Sequence, residues 1–145
     1  MKKTIVFIIS TVMIICVITV SKFYELRDRK LQIDDFNLKY EKYLDKEITG
    51  REIATIINQA VDDNEQNYIT KDKNGKYIQD DEKSINIEVK ITEFKEEQIY
   101  EMEKLYNGGM DEFVKYYGSI NFKCVQIRYN SKGRVKYMLF EQILS

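Results

Sequence analysis

The residues able to do acid–base chemistry in this chain are carboxylates, because the sequence contains no histidine. Histidine is the commonest general base and metal ligand. The acid pairs Asp62–Asp63 and Asp80–Asp81 are the remaining candidates. A carboxylate pair catalyses proton transfer when its surroundings separate the two pKa values, and both pairs stand in polar sequence that is typical of solvated charges. The sequence therefore predicts no catalytic residue and no enzyme activity.

The segment around Gly75 comes nearest to a metal-binding motif. When Gly75 is aligned with the invariant glycine of an EF-hand calcium loop, Asp72 and Asn74 occupy the third and fifth positions. Thr70 stands where the first aspartate belongs, and Asp81 replaces the bidentate glutamate. We therefore predict no metal site and no cofactor, and we interpret Asn74-Gly75 as the type I′ turn of a β-hairpin.

A glycine pair precedes a short predicted helix at residues 111–117. Free N–H groups at a helix start can bind phosphate. Here no glycine-rich fingerprint precedes Gly108 and Gly109, and no Lys-Ser or Lys-Thr pair follows. Asp111 and Glu112 would repel an anion at that helix start. The sequence predicts no phosphate site.

The charge balance argues against a nucleic-acid partner. Two of the 23 basic residues, Lys2 and Lys3, precede the apolar segment, which leaves 21 basic against 24 acidic residues in the rest of the chain. A nucleic-acid-binding domain normally carries a basic excess on one face. The two cysteines stand in unrelated segments, so we predict no disulfide, and Cys124 is expected to be a buried hydrophobic residue.

The apolar segment Thr4–Val20 contains no charged residue. As a helix it is roughly 25 Å long, close to the thickness of a bilayer's hydrocarbon core. Lys22, Phe23 and Tyr24 follow it, as is common where a spanning helix reaches the headgroups. We predict a signal-anchor over residues 1–21 that contacts the lipid bilayer and gives a single-pass protein of the cell membrane. Cleavage as a secretory signal after Thr19-Val20-Ser21 is the alternative.

Basic residues flank the apolar segment on both sides. Lys2 and Lys3 favour a cytoplasmic N-terminus by the positive-inside rule. Four basic residues on the far side oppose that orientation: Lys22, Arg27, Arg29 and Lys30. With so short an N-terminal tail, we predict that the rest of the chain is extracytoplasmic.

Residues 22–46 are predicted to form a stalk helix. They include no proline or glycine, and Leu26, Ile33 and Tyr40 recur every seven residues on one stripe. The upper part of the stalk is expected to pack on the domain, through Phe36, Leu38, Tyr40, Tyr43 and Leu44. A coiled-coil dimer seam along the same stripe is the alternative interpretation.

Residues 47–145 are predicted to form one α+β domain, an antiparallel β-sheet packed against two or three helices. Thr49 and Glu52 form the capping box of a helix that should bury Ile and Val residues and turn Asp62 and Asp63 outward. Alternating apolar residues over 84–94 predict a half-buried strand.

The C-terminal half of this domain supplies two long strands. Apolar runs at 120–129 and 135–143 surround a turn at 131–134, and a change of parity near Lys123–Val125 predicts a β-bulge. Apolar residues on both faces of the second run predict a central position in the sheet, or else that the stalk helix covers one side. Residues 95–106 fit a helix or a strand equally well.

The order of elements is an apolar helix, an amphipathic helix and then a sheet, and this layout resembles type IV pilin-like proteins. The resemblance implies a pilin-like assembly component. The chain departs from that family's processing motif, because Lys3-Thr4 stands at the junction where a glycine is needed, and Phe7–Ile9 carry no acid.

Two further functional hypotheses follow from the layout. The first is a membrane-anchored domain that binds a protein partner, or self-associates, within the cell envelope, and it predicts an exposed apolar or tyrosine-rich patch. The second is a ligand-sensing or weakly catalytic envelope domain, and it predicts a concave pocket with convergent polar groups.

Overall fold

The computed structural model describes residues 2–93 and 96–144. Two residues on which predictions were made, Phe94 at the end of the predicted strand and Lys95 at the start of the ambiguous segment, lie outside those ranges. The chain divides into two compact units, Met1–Asp35 and Phe36–Ser145.

A single long helix, α1, spans Lys2–Glu41. Its N-terminal part is long and apolar enough to cross a membrane, and none of the apolar window is buried inside the protein. The hydroxyl groups of Thr11 and Thr19 donate to the backbone carbonyl oxygens of Phe7 and Ile15, so these polar side chains are satisfied within the helix. An N-terminal helix of this kind is compatible with a membrane anchor or a signal sequence.

The second unit has an α+β fold, as predicted. Its strands form one sheet in the order β1-β4-β5-β2-β3. The strands are β1 (Glu47–Thr49), β2 (Asn86–Glu93), β3 (Glu96–Glu101), β4 (Asn121–Tyr129) and β5 (Val135–Gln142). Three further helices are α2 (Gly50–Gln66), α3 (Met102–Gly108) and α4 (Met110–Tyr117).

The sheet is mixed, which differs from the antiparallel sheet that was predicted. β4 and β5 form an antiparallel hairpin, but β5 pairs with β2 in parallel. Parallel neighbours need a long crossover connection, and the chain between β2 and β5 supplies one through β3, α3, α4 and β4. β5 therefore lies at the centre of the sheet, where its apolar residues on both faces had placed it.

The apolar face of the sheet packs against the stripe of α2. The alternating residues of the β2 region, Ile85, Ile87, Val89 and Ile91, are fully buried. They join the buried stripe of α2, which comprises Ile53, Ile56, Ile57, Ala60 and Val61. The capping box of Thr49 and Glu52 begins α2 as predicted. Cys124 is also buried in this core, as expected.

Two local predictions in the strands are resolved by the register. The ladder between β4 and β5 shifts between Cys124 and Gln126, so Val125 is the extra residue of a β-bulge, and that prediction is confirmed. The ambiguous segment contains both structures, because strand β3 ends at Glu101 and helix α3 begins at Met102. Each alternative was therefore right for part of the segment.

The predicted type I′ turn at Asn74-Gly75 is wrong. Gly75 has a φ of 80°, but Asn74 has no positive φ. Instead, the Asp72 carbonyl accepts from the Gly75 N–H at 3.0 Å, and the Asp72 carboxylate accepts from the N–H groups of Asn74 and Lys76. The carboxylate thus holds a wider loop, closed by a single bridge between Lys71 and Tyr77.

The loop between β4 and β5 repeats this arrangement. The Asn130 carbonyl accepts from the N–H of Gly133, whose φ is also 80°. The Asn130 side-chain oxygen accepts from the N–H groups of Lys132 and Arg134 at 2.9 Å each. We call residues 130–134 the β4–β5 loop.

Asparagine side chains complete the backbone hydrogen bonding beside this loop and at the start of β2. Asn37 of α1 donates to the Gly133 carbonyl and accepts from the Val135 N–H, at 2.8 Å each. Asn64 of α2 bonds in the same way to both backbone groups of Ile85. Each side-chain amide therefore forms the two backbone hydrogen bonds that a neighbouring strand would otherwise form.

The C-terminal turns of α1 belong to the second unit and match the stalk prediction in part. Phe36 and Tyr40 are buried in the core, as expected, but Leu38 is 65% exposed. Helix α1 ends at Glu41 rather than near residue 46, and Asp45 adopts a left-handed φ of 57° in the connection to β1.

Asp63 is buried, which corrects the prediction that it faces solvent. It is 6% exposed, and it accepts from the Tyr40 hydroxyl at 2.6 Å and from the Lys39 ammonium at 2.8 Å. Burial and the Asp63 carboxylate raise the pKa of Tyr40 above its ordinary value. This pair ties the C-terminal turns of α1 to α2.

Replacing Tyr40 with phenylalanine should lower the free energy of unfolding by about 1–3 kcal/mol, because Asp63 loses a buried donor. The measurement is urea denaturation of the full chain in detergent micelles, followed by circular dichroism. Tyr68→Phe is the matched control, because Tyr68 is 90% exposed and should change nothing. Equal stability of both variants would show that the Tyr40–Asp63 bond contributes little.

Candidate functional site: a polar cleft on the sheet

The second face of the sheet is polar. Successive side chains of a strand point to opposite faces of the sheet. Along β2, β4 and β5, the side chains between those that face the buried core therefore point to this second face. They include Asn86, Glu88, Lys90, Gln126, Arg128, Tyr137 and Leu139. We call this surface the polar face.

Three residues of the polar face form one row across neighbouring strands. Asn86 on β2 and Arg128 on β4 both stand opposite Tyr137 on β5. The Arg128 guanidinium carbon lies 3.8 Å from the centre of the Tyr137 ring, a cation–π contact. The Tyr137 hydroxyl donates to Glu88 at 2.7 Å. Burial and this bond raise the pKa of Tyr137 to about 12.

A bent segment, Gln79–Ser84, forms a wall beside this row, and we call it the cleft wall. One carboxylate oxygen of Asp80 accepts from the N–H groups of Glu82, Lys83 and Ser84, at 3.0, 2.7 and 2.9 Å. Burial raises the pKa of Asp80, but these N–H groups lower it by more, so its pKa lies below the ordinary value. The turn of the wall is thus built around the ionised carboxylate.

The β4–β5 loop holds the cleft wall in place. The Asn130 amide donates to the Glu82 carbonyl at 3.0 Å, and the Arg134 guanidinium donates to the Lys83 carbonyl. Lys132 also pairs with Glu82 at 2.5 Å. Exposed ion pairs contribute little to stability, so the bonds to the two backbone carbonyls carry most of this attachment.

An open cleft of about 310 Å³ lies between the wall and the row. Its volume is at the small end of the range for ligand sites. It is lined by Gln79, Asp80, Asp81, Asn86, Arg128, Lys136 and Tyr137. Lys136 pairs with Asp81 at 2.9 Å at the rim and lowers the pKa of that carboxyl.

Asn86 is the unusual residue of the cleft. It is 9% exposed, and its amide nitrogen donates a long bond of 3.4 Å to Glu88. Its Oδ1 has no hydrogen-bond partner within the described part of the chain. A buried acceptor without a partner costs about 1–3 kcal/mol and is rare in native proteins. The Asn86 side chain thus lines the cleft with a buried acceptor that is both unpartnered and shielded from solvent.

The acid pairs singled out in the sequence are separated by the fold. Asp80 and Asp81 are exposed and line the cleft, whereas Asp62 is exposed elsewhere on α2 and Asp63 is buried beneath Tyr40. Both cleft acids already have partners, which are the backbone N–H groups of the cleft wall for Asp80 and Lys136 for Asp81. In the described ranges, 2–93 and 96–144, no group of three His, Cys, Asp or Glu residues is placed to hold a metal ion.

The sequence did not identify the principal residues of the cleft. Arg128 and Tyr137 come from the consecutive strands β4 and β5, but Asn86 comes from β2, which β3, α3 and α4 separate from them along the chain. The alternation of β2 places Asn86 on the polar face, but whether its amide has a partner depends on strand order. The parallel pairing of β2 with β5 decides that order.

The chain combines a long N-terminal apolar helix with an α+β unit that carries a polar cleft on a mixed sheet. No known protein family, characterised protein or solved structure matches it.

Tyr137→Phe should flatten the fall in stability at high pH. A tyrosine whose folded pKa is raised from 10 to about 12 stabilises the fold fully below about pH 10. That contribution is lost as the pH rises toward 12, because the unfolded chain releases the proton first. Urea denaturation of the full chain between pH 8 and 11.5 measures the slope.

The Tyr68→Phe variant should keep the wild-type slope, since Tyr68 is exposed and contacts no part of the cleft lining. If Tyr137→Phe keeps that slope too, Tyr137 does not retain its proton in the folded protein.

Proposed function

We propose that this chain is a single-pass membrane protein whose α+β domain binds a partner protein through the polar cleft. The domain stands on the extracytoplasmic side of the cell membrane, and the complex belongs to the cell envelope. The observation that carries the binding proposal is the open polar cleft, in which the exposed Arg128 guanidinium stacks on the Tyr137 ring.

Membrane attachment is supported by the apolar side chains of Thr4–Val20. Within this segment the large apolar residues are all more than half exposed in the isolated chain. Contiguous apolar surfaces of this size are not left in water by monomeric proteins. Lipid contact along the segment removes that surface from water.

Binding rather than catalysis is supported by the composition of the cleft. Asp80 and Asp81 already accept hydrogen bonds from the backbone and from Lys136, and the cleft lining contains no serine, threonine or cysteine. The cleft offers donors and acceptors side by side, and a peptide segment carries both in its N–H and C=O groups. A segment of a partner chain therefore fits its chemistry, whether the partner is another protein or a second copy.

The orientation can be tested with a single accessible cysteine. In the double variant Cys16→Ser/Tyr68→Cys, position 68 is exposed, whereas Cys124 is buried. A membrane-impermeant maleimide added to intact cells should label the variant as fully as it does after permeabilisation. Labelling only after permeabilisation would place the domain in the cytoplasm.

Partner binding can be tested with a photoreactive amino acid at Gln79 of the full chain in membranes. Crosslinks to a discrete partner should form from position 79, and they should be lost when Arg128→Gln is added, because Arg128 is an exposed residue of the cleft lining. The same probe at Tyr116, which is 61% exposed on α4 and does not line the cleft, is the control. Mass spectrometry of the adduct distinguishes a different protein from a second copy.

Arg128→Gln should lower the free energy of unfolding by at most about 1 kcal/mol, because Arg128 is exposed and its cation–π contact with Tyr137 is of the exposed kind. Its urea denaturation therefore separates lost binding from lost folding. Crosslinking that persists unchanged in this variant would remove the support for binding at the cleft.

A further inference from the structure

We infer that the open edge of strand β3 binds an extended, basic segment of another protein, which adds to the sheet as a further strand. This surface goes beyond the polar cleft, because no residue of β3 lines the cleft. The inference combines the free backbone of this edge with the charged and apolar side chains along it.

β3 forms one edge of the sheet, and its outer side is open. In the strand order β1-β4-β5-β2-β3 it pairs with β2. In the described ranges, 2–93 and 96–144, no backbone group of Glu96–Ile99 bonds to another element. All four residues of this stretch are exposed, and we call them the β3 edge. Alternate residues of an antiparallel edge strand direct their N–H and C=O groups away from the sheet, so these groups are available to an incoming strand.

The opposite edge of the sheet is a poorer template for strand addition. β1 has three residues, and the chain just before it already bridges to β4 through Leu44 and Cys124. Short edge strands discourage pairing with another chain. β3 has six residues, and only its last one, Glu101, pairs with Lys76 of the loop around Asp72. The β3 edge therefore keeps the length that strand pairing needs.

The charges of the β3 edge favour a basic partner. Strands β2 and β3 together carry five glutamates and one lysine, Lys90. That lysine is shared between Glu97 and Glu141. Glu93 and Glu96 stand directly opposite each other, and like charges in this position destabilise a strand pair. A lysine or arginine of an incoming strand would offset that repulsion and would complement the charge of the edge.

Ile99 adds an apolar contact to the β3 edge. Its side chain is 56% exposed. Ile99 lies two residues after Glu97, so both side chains point to the same face of the sheet. Residues that stand directly opposite each other on neighbouring strands are the ones that interact. The matching segment therefore carries basic residues opposite Glu96 and Glu97 and an apolar residue opposite Ile99.

A second copy of the chain is a poor occupant of the β3 edge. Pairing of two such edges would bring Glu96 and Glu97 of both copies together, and like charges facing each other disfavour association. The same acids also discourage edge-to-edge aggregation. Main-chain hydrogen bonds give affinity in strand addition, and the side chains give specificity. The β3 edge therefore favours a strand of opposite charge.

The test uses the peptide Val-Thr-Lys-Lys-Thr-Val, labelled with rhodamine at its N-terminus and amidated at its C-terminus. Its symmetric sequence places lysines opposite Glu96 and Glu97 and a valine opposite Ile99 in either strand direction. Fluorescence anisotropy measures its binding to the full-length protein in micelles of a nonionic detergent. The affinity should be at least tenfold higher than that of Val-Thr-Glu-Glu-Thr-Val, and it should fall as the salt concentration rises.

Backbone pairing is tested with the same lysine peptide carrying N-methyl groups on its four central residues. This peptide keeps its charges but lacks the N–H donors of a strand, so it should bind at least tenfold more weakly than the parent. Equal binding of the two peptides would reveal charge attraction without strand pairing and would overturn the inference. So would the absence of binding of the parent peptide at millimolar concentration.

The location is tested with paired substitutions, and circular dichroism checks that each variant folds. Glu96→Gln/Glu97→Gln should lower the affinity for the lysine peptide at least fivefold. Asp111→Asn/Glu112→Gln is the matched control, because it removes two adjacent exposed acids from α4 and should keep the wild-type affinity. Arg128→Gln should keep it too, since Arg128 lines the cleft. Unchanged affinity in Glu96→Gln/Glu97→Gln, or an equal loss in both double variants, would refute binding at the β3 edge.

Discussion

The second unit depends on one constraint, the pairing of backbone polar groups where regular strand pairing is missing. Asn64 completes the hydrogen bonds of Ile85 just before β2, and Asn37 completes those of Gly133 and Val135 where β5 begins. Ile85 and Val135 are fully buried, so unpaired backbone groups there would be costly. Because both strands are held at their starts, the parallel pairing of β2 with β5 places Asn86 beside Tyr137. The row of residues that lines the cleft follows from that register.

The features predictable from the sequence are those that a local pattern determines. The capping box at Thr49, the alternation through Ile87 and the bulge at Val125 each depend on a few consecutive residues, and the structure confirms all three. The burial of Asp63 was missed because its partner Tyr40 lies 23 residues earlier in the chain. The cleft was missed for the same reason, since strand order is a non-local property.

The acidic pair Asp80–Asp81, which the sequence offers as a candidate for acid–base chemistry, forms part of the frame of the cleft. Asp80 shapes the wall by accepting three N–H groups, and the pairing of Asp81 with Lys136 closes the rim. Positions that suggest acid–base chemistry in the sequence therefore serve as scaffold in the fold. A wall fixed by its own hydrogen bonds loses little conformational entropy when a ligand binds, which favours affinity in a small site.

The β4–β5 loop contacts two parts of the domain. On one side it holds the cleft wall through the backbone carbonyls of Glu82 and Lys83. On the other side its Gly133 carbonyl accepts from Asn37, and the Arg134 guanidinium stacks on Phe36 at 3.4 Å. The loop therefore links the cleft wall to the C-terminal turns of α1 by direct contacts on both sides, with a side-chain amide at each.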